Sequence, residues 1–180
     1  MRTAICVASG PSLTERDCSI AAAGMGLGDW MLAVNDSWRA ATWAHAVYAG
    51  DFGWWRDHLG EVPTHLERWT CSESAAYRYR LHHHRVAGRG LYNSGQRAIE
   101  LAITKGFLRI LLLGYDCTVA RGTHWHGDHA SGKNPDAARC QQWQDQFRSI
   151  CANGAQIINC SRETALTAFP RLPLEKALAL

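Results

Sequence analysis

The feature that most constrains the fold is a regular alternation of short apolar runs with segments of helical pattern. Runs such as Thr3–Ala8 and Arg109–Leu113 have the length and composition of buried strands. The segments between them carry apolar residues at helical spacing, as in Ser94–Lys105. Strands that alternate with helices form parallel sheets covered on both faces. The sequence therefore predicts an α/β fold, with a mostly parallel sheet in a single Rossmann-like domain over residues 1–180.

Six strands and five helices follow from this pattern. The strands are expected at Thr3–Ala8, Met31–Asn35, Ala46–Ala49, His65–Thr70, Arg109–Leu113 and Gln156–Asn159. The helices are expected at Ser12–Ala23, Phe52–Leu59, Ser94–Lys105, Pro135–Ala152 and Arg162–Ala168. The segment 73–90, rich in Arg, Tyr and His, fits neither pattern, and we interpret it as an insertion or a flap.

Composition excludes several classes of protein. The formal net charge of +3 is too small to indicate a nucleic-acid or membrane partner. The longest apolar run, Ile110–Gly114, is far too short to cross a bilayer. Seven cysteines without a CxxC pair predict reduced, mostly buried thiols rather than a disulfide framework. With no signal-peptide pattern before the first strand, we expect a cytoplasmic protein.

The first strand runs directly into the turn Ser9-Gly10-Pro11-Ser12. Gly10 allows a ligand to approach the backbone closely, and Pro11 suits the first turn of a helix. Ser9 or Ser12 can cap that helix. A helix N-terminus behind a tight turn favours phosphate binding, although the same residues also suit an ordinary first β–α connection.

Small, polar and acidic residues also follow the other predicted strands. They are Asn35-Asp36, Gly50-Asp51 and Gly114-Tyr115-Asp116, and Asn93-Ser94-Gly95 adds a second helix N-terminus. The carboxyl ends of parallel strands meet at one edge of the sheet, and ligands bind there near a topological switch point. The sequence therefore predicts a binding crevice at this edge.

A histidine-rich stretch, Gly122 to His129, lies in the loop 115–134, which we expect to be an active-site loop. It matches the HxHxDH signature of metallo-β-lactamase-like hydrolases, with His124, His126 and His129 as metal ligands. We disfavour that metal-dependent hydrolase because no histidine follows His129 to complete a metal pair. A looser metal site that includes Asp116 or Asp51 is one alternative. The other is a histidine that acts as general acid or base.

Four motifs in order give the chain a family resemblance. They are Val7–Leu13, Val34–Asp36, Asn93–Gly95 and Leu112–Asp116. Together they resemble the nucleotide-binding core of bacterial CMP-sialic-acid-dependent sialyltransferases and of archaeal 6-hydroxymethyl-dihydropterin pyrophosphokinase-like proteins. The resemblance spans most of the chain. Short phage proteins with a similar loop, His-Trp-x-Gly-Asp-His followed by Asn-Pro, also look like this one.

The resemblance implies roles for individual residues. Nucleotide contacts are expected from Ser9, Gly10, Pro11, Ser12, Asn35, Asp36, Asp51, Ser94, Gly95, Tyr115 and Asp116. The sialyltransferases carry a His-Tyr-x-Gly-His stretch whose last histidine is thought to be the general base. His129 is therefore the first choice for the base and His126 the second, with Asp128 beside them as a further catalytic candidate.

These expectations combine into a nucleotide-binding transferase. Its leading form is a glycosyltransferase-like enzyme that uses a nucleotide-activated sugar of the CMP type. One alternative is a magnesium-dependent pyrophosphokinase or other nucleotidyl-phosphate enzyme, in which Asp36, Asp51 and Asp116 would hold the ion. The other is a non-catalytic protein that binds or sequesters a nucleotide, which the short chain favours. The expected ligand is thus a nucleotide or nucleotide sugar.

Overall fold

The computed structural model describes residues 1–86, 91–128 and 134–180. The strands are β1 (Thr3–Val7), β2 (Trp30–Val34), β3 (Ala46–Tyr48), β4 (Glu67–Thr70), β5 (His82–His83), β6 (Arg109–Leu113) and β7 (Gln156–Asn159). The helices are α1 (Glu15–Ala23), α2 (Phe52–His58), α3 (Glu73–Tyr79), α4 (Ser94–Thr104), α5 (Ala137–Arg148) and α6 (Leu174–Leu178).

The strands form one sheet with the order β5-β4-β3-β2-β1-β6-β7, and every strand pair is parallel. The predicted α/β class with a Rossmann-like parallel sheet is therefore confirmed. From β1 the chain builds outward through β2 to β5 on one side, and it then crosses to β6 and β7 on the other. The topological switch point lies between β1 and β6, where Val7 is in register with Leu113.

Helices cover both faces of the sheet because alternate strand residues point to opposite sides. Ile5 and Val7 pack in a core with residues of α1, α2, α3 and α6. Ala4 and Cys6 pack in a second core with residues of α4 and α5. All four side chains are fully buried, which explains why residues 4–7 form a continuous apolar run in the sequence.

All six predicted strands are present, with ends shifted by at most two residues. The helix expected at Arg162–Ala168 is wrong, because the described residues 162–168 contain no helix. Side chains hold this segment in an irregular path instead. Gln144 Nε2 donates to Ala165 O at 2.7 Å, and Thr164 Oγ1 donates to Tyr115 O at 2.7 Å.

The first helix also begins later than expected, at Glu15 rather than Ser12. Thr14 is its N-cap and accepts a hydrogen bond from Asp17 N, while the Asp17 carboxylate accepts from Thr14 N. This capping box satisfies N–H groups of the first turn within the helix itself. The first turn also carries the carboxylates Glu15 and Asp17.

The segment 73–90, expected as an insertion or flap, is described as far as residue 86. Its first part forms α3, and His82–His83 then forms β5, which extends the sheet beside β4. Residues 87–90 lie outside the described residues. All seven cysteines are free thiols, and burial raises the pKa of Cys6 to about 12. None of the helices in the described ranges has the length and apolar character needed to span a membrane.

Two polar groups in the packed structure lie against aromatic rings. The first is His84, only 4% exposed, whose Nδ1 lies 3.1 Å from Tyr48 Oη. Burial, together with the charge of Arg97, lowers the pKa of His84 to about 4. The second is Lys105, whose Nζ lies 5.0 Å from the ring centre of Trp30 and 4.7 Å from that of Trp69.

Candidate functional site

A cavity of about 880 Å³ opens at the carboxyl edge of the sheet. The residues that follow β1 and β6 form part of its wall, so it lies at the switch point. The turn after β2 and the first turns of α4 and α5 also contribute to the wall. Ligand pockets in proteins typically enclose roughly 300–1,000 Å³. The cavity therefore has room for a molecule of nucleotide size.

Nine of the eleven residues expected to contact a nucleotide line this cavity. They are Ser9, Gly10, Pro11, Asn35, Asp51, Ser94, Gly95, Tyr115 and Asp116. The other two lie elsewhere. Ser12 lines an adjoining pocket of about 260 Å³, and Asp36 is buried behind the wall.

The turns after β1 and β6 are bound to each other. Gly10 N donates to Gly114 O at 2.8 Å. Ser12 donates to both oxygens of Asp116, from its N–H at 2.6 Å and from its Oγ at 2.8 Å. We call these four residues, Gly10, Ser12, Gly114 and Asp116, the turn lock.

Both glycines of the turn lock are required because neighbouring atoms lie too close to leave room for a Cβ. A Cβ on Gly10 would lie 2.5 Å from the Asp116 carboxyl carbon and from Gly114 O. A Cβ on Gly114 would lie 2.3 Å from Ala8 O, and the φ of Gly114 is +68°. Real Cβ contacts are far longer than these distances, so only glycine fits at either position.

The turn lock changes what the first turn offers to a ligand. The N–H groups of Gly10 and Ser12 already donate to Gly114 and Asp116, and Pro11 has no N–H. The N-terminus of α1, with its own capping box, begins beyond the turn. At the turn after β1, the cavity wall therefore presents mainly the Ser9 side chain and the Pro11 ring. The other residues of the turn hold its backbone against the turn after β6.

Asp116 is 1% exposed. Burial raises the pKa of its carboxyl above the usual range, and the hydrogen bonds from Ser12 oppose that rise. A buried carboxylate is stable only when its oxygens accept hydrogen bonds, which Ser12 supplies here. Asp116 thus has a positioning role in the wall of the cavity.

Asp36 has a similar supporting role. Its Oδ2 accepts a hydrogen bond from Trp54 Nε1 at 3.1 Å, and its Oδ1 lies 3.6 Å from Arg39 Nε. Trp54 lines the cavity. Asp36 therefore orients a ring of the wall and does not itself reach the cavity.

Asn35 begins the turn after β2 with a φ of +50°. Asparagine is one of the few residues other than glycine that adopts this conformation readily. Its Oδ1 is buried and has no hydrogen-bond partner among the described residues. An unpaired buried acceptor on a cavity wall suits a ligand that carries an N–H or O–H donor.

The first turn of α4 forms the opposite part of the wall. Asn93 caps this helix by accepting from Gln96 N at 2.7 Å, and its Nδ2 donates to Gln146 Oε1 of α5 at 2.8 Å. Ser94 Oγ accepts from Gly50 N at 3.0 Å, and Tyr115 Oη donates to Gly95 O at 3.1 Å. These bonds fix the helix against the sheet and against α5.

Sequence reasoning missed the contribution of α5. Arg139 and Trp143 of this helix line the cavity, as does Tyr92 just before α4. The helix was predicted, but its sequence does not reveal which of its sides faces the sheet edge. The signal available was the position of α5 directly after the histidine-rich loop, since both then enter the same edge of the sheet.

The histidine-rich loop places His124 on the cavity wall, beside Thr123. His126 is exposed, and its ring stacks on that of His124 with the centroids 5.2 Å apart. Asp128 is exposed and accepts a hydrogen bond from Thr123 Oγ1. His129, the first choice for a general base, lies outside the described residues.

No three or more His, Cys, Asp or Glu side chains cluster closely enough to hold a metal ion, in the part of the chain that is described. The proposed ligand set of His124, His126 and His129 includes a residue outside that part. Among the described residues, Asp51 and Asp116 therefore do not combine with the loop into a three-ligand site. No protein-family model, curated protein or solved structure matches the chain.

Proposed function

We propose that the cavity binds a nucleotide and that the protein is a transferase, in its leading form a glycosyltransferase-like enzyme that uses a CMP-type nucleotide sugar. The observation that carries this proposal is the position of the 880 Å³ cavity at the switch point between β1 and β6. Ligands of doubly wound sheets bind at this edge. The resemblance of the four ordered motifs to sialyltransferases and pyrophosphokinase-like proteins supports the same ligand class.

The wall offers complementary groups for the parts of a nucleotide. The buried Asn35 Oδ1 can accept from an amino group of the base or a ribose hydroxyl. Trp54 and Tyr92 also line the cavity and provide aromatic rings for a base. Arg139, with its fork of N–H donors, and the first turn of α4 are suited to the phosphate.

An imidazole on the wall favours an enzyme over a sequestering protein. Transfer of a sugar to a hydroxyl requires a group that removes the hydroxyl proton, and histidine can do so near neutral pH. A protein that only stores a nucleotide needs no such group. His124 lines the cavity wall, and this position supports an enzyme.

The proposal is tested by thermal unfolding with CMP, CDP, UDP, ADP and GDP, each with and without Mg²⁺. A ligand present at about 100 times its Kd stabilises a protein by roughly 2.7 kcal/mol. For a domain of this size that raises the Tm by about 5–10 °C. Stabilisation by CMP without metal supports the CMP-sugar enzyme. If neither these five nucleotides nor ATP with Mg²⁺ raises the Tm, the nucleotide proposal is wrong.

Two arginines of α5 provide a matched pair of variants. Arg139 lines the cavity, whereas Arg148 near the end of the helix is ion-paired with Asp145. We expect Arg139→Gln to weaken CMP binding at least about tenfold, since hydrogen bonds to charged groups contribute roughly 1.5–3 kcal/mol. Arg148→Gln should leave the Kd for CMP unchanged. Both variants are measured by calorimetric titration with CMP. Equal effects of the two variants would argue against phosphate binding at Arg139.

The magnesium-dependent pyrophosphokinase is the second candidate. It is favoured by the exposed carboxylates Asp51 and Asp136, both of which line the cavity. Carboxylates bind Mg²⁺ together with substrate phosphates rather than in a closed protein cage. Stabilisation by ATP that appears only with Mg²⁺, and that Asp51→Asn abolishes, would select this candidate over the first.

A further inference from the structure

Positive charge is concentrated at one end of the sheet. Residues 74–86 contain three arginines and no aspartate or glutamate, so their formal charge of +3 equals that of the whole chain. The rest of the sequence is therefore balanced, and the small net charge conceals a local excess. This segment forms most of α3 and all of β5, the strand at the end of the sheet.

The three arginines, Arg78, Arg80 and Arg85, are exposed. Arginines elsewhere on the surface, such as Arg148, pair with a carboxylate, but no ion pair within the described ranges involves these three. Glu73, at the start of α3, is five positions before Arg78, too far to be its neighbour on the helix surface. An anionic partner therefore meets charges that no carboxylate of the chain neutralises.

Arg80 ends α3 in the left-handed conformation, with a φ of 55°. Glycine is the usual residue at such a helix end, because a Cβ disfavours this conformation. The local backbone therefore does not account for an arginine here. A side chain that is kept in an unfavourable backbone conformation indicates a function for that side chain.

An aromatic ring lies beside these charges. Tyr77 is 90% exposed, directly precedes Arg78 and lies about one helical turn before Arg80. Tyr79, by contrast, packs against Phe52 of α2, with the ring centroids 5.3 Å apart. Among the described residues Tyr77 has no such ring contact, so its ring can stack on an external partner.

We propose that this surface, which we call the basic edge, binds single-stranded nucleic acid through Tyr77, Arg78, Arg80 and Arg85. Guanidinium groups bind backbone phosphates, and an exposed ring stacks on an unpaired base. Arg80 and Arg85 are at most about 18 Å apart along the chain, the length of roughly five stacked nucleotides. An acidic peptide or an anionic membrane could use the arginines, but neither presents a base to Tyr77.

The basic edge is separate from the cavity. None of its four residues lines the cavity wall, and β5 lies four strands from β1 in the sheet. At about 4.8 Å per strand, this distance is roughly 19 Å. The inference therefore does not depend on the proposed transferase.

Fluorescence anisotropy with a labelled oligothymidylate of about 15 nucleotides tests the proposal on the full chain. Three phosphate contacts on a single strand predict a slope of about −2 when log K is plotted against log salt concentration. Binding should therefore weaken about 20-fold between about 50 and 200 mM salt. Excess CMP, which is expected in the cavity, should not displace the oligonucleotide.

Two triple variants with the same change in net charge separate the basic edge from a general charge effect. Replacing its three arginines with glutamine should weaken binding at least about tenfold at low salt and remove the salt dependence. The control, Arg16→Gln/Arg121→Gln/Arg148→Gln, changes three exposed arginines on other parts of the chain and should bind like the native protein.

Two single variants test the ring and the helix end. Tyr77→Ala should weaken binding at least about fivefold, and Tyr77→Phe, which keeps the ring, should not. Arg80→Gly should also weaken binding, but its Tm should stay the same or rise because glycine suits the left-handed conformation. A loss of binding in this variant is therefore not a loss of folding.

Several results would overturn the proposal. They are no binding of the oligonucleotide at about 50 mM salt, where the electrostatic attraction is strongest, equal losses in the two triple variants, and displacement by CMP. Polyglutamate and phosphatidylserine vesicles test the other two partner classes. Tighter binding to either of them, with Tyr77→Ala without effect, would identify an acidic protein or a membrane as the partner instead.

Discussion

Replacement of Gly114 by alanine tests the close approach of β1 and β6 on which the cavity depends. Gly114 has a φ of +68°, and an added Cβ would lie 2.3 Å from the backbone oxygen of Ala8. Gly106 provides the matched control, since its φ is +80° but an added Cβ would meet no atom within 4 Å. The two variants thus share the cost of the left-handed conformation and differ in the steric overlap.

The magnitudes follow from these two terms. A left-handed conformation costs an alanine about 1–2 kcal/mol, which we expect in full for Gly106→Ala. Overpacking adds roughly 1–3 kcal/mol for Gly114→Ala, because the nearest neighbour is the Ala8 backbone, which cannot rotate away. At about 2–4 °C per kcal/mol, the Tm of Gly114→Ala should fall further than that of Gly106→Ala by roughly 2–12 °C.

The assay is urea and thermal unfolding of both variants beside the native chain. Gly10→Ala gives an independent check, because its added Cβ would lie 2.5 Å from Gly114 O while no left-handed φ is involved. It should also be less stable than the native protein. If Gly114→Ala and Gly106→Ala lose the same free energy of unfolding, β1 and β6 do not approach as described, and the cavity wall built on the turn lock must be redrawn.

Two further predictions concern polar groups in the packed structure. The pKa of His84 is lowered from 6.5 to about 4, so its neutral form stabilises the fold above pH 6.5. That contribution, roughly 3 kcal/mol, is lost as the pH falls from 6.5 towards 4. In urea unfolding, His84→Gln should therefore show a smaller loss of stability than the native protein over this pH range. Lys105→Met keeps the apolar stem but removes the charge beside the two indole rings and its ion pair with Glu67. It should lower the free energy of unfolding by about 1 kcal/mol, and an unchanged value would show that neither the cation–π contacts nor the ion pair contributes to stability.

The sheet could be predicted because its signals are local. In the strand Arg109–Leu113, the four residues after Arg109 are all apolar and buried, and both faces of the strand are covered, so this run identifies it. The rule that carboxyl ends share an edge then placed Ser9, Asn35 and Tyr115 on one wall. None of this required knowledge of which side chains contact one another.

What could not be predicted depends on tertiary partners. The sequence around Ser12 and Asp116 is the same whether these residues bind a phosphate or each other. Only the fold shows that they bind each other. The prediction of a helix at Arg162–Ala168 failed for a related reason, since Gln144 donates to Ala165 O and accepts from Thr167 N in place of bonds that a helix would make. The local sequence pattern does not indicate such tertiary partners.

The motif pairs a serine-glycine-proline-serine turn with a glycine-tyrosine-aspartate turn, and it therefore carries two kinds of information. Gly10, Ser12, Gly114 and Asp116 explain each other through direct contacts, so their presence together predicts the joined β1 and β6 turns even in a chain that binds nothing. Ser9 is the member of the turn whose side chain has its partner outside the lock, on the histidine-rich loop. A functional claim from this motif thus depends on Ser9 and the loop, and a structural claim depends on the other four.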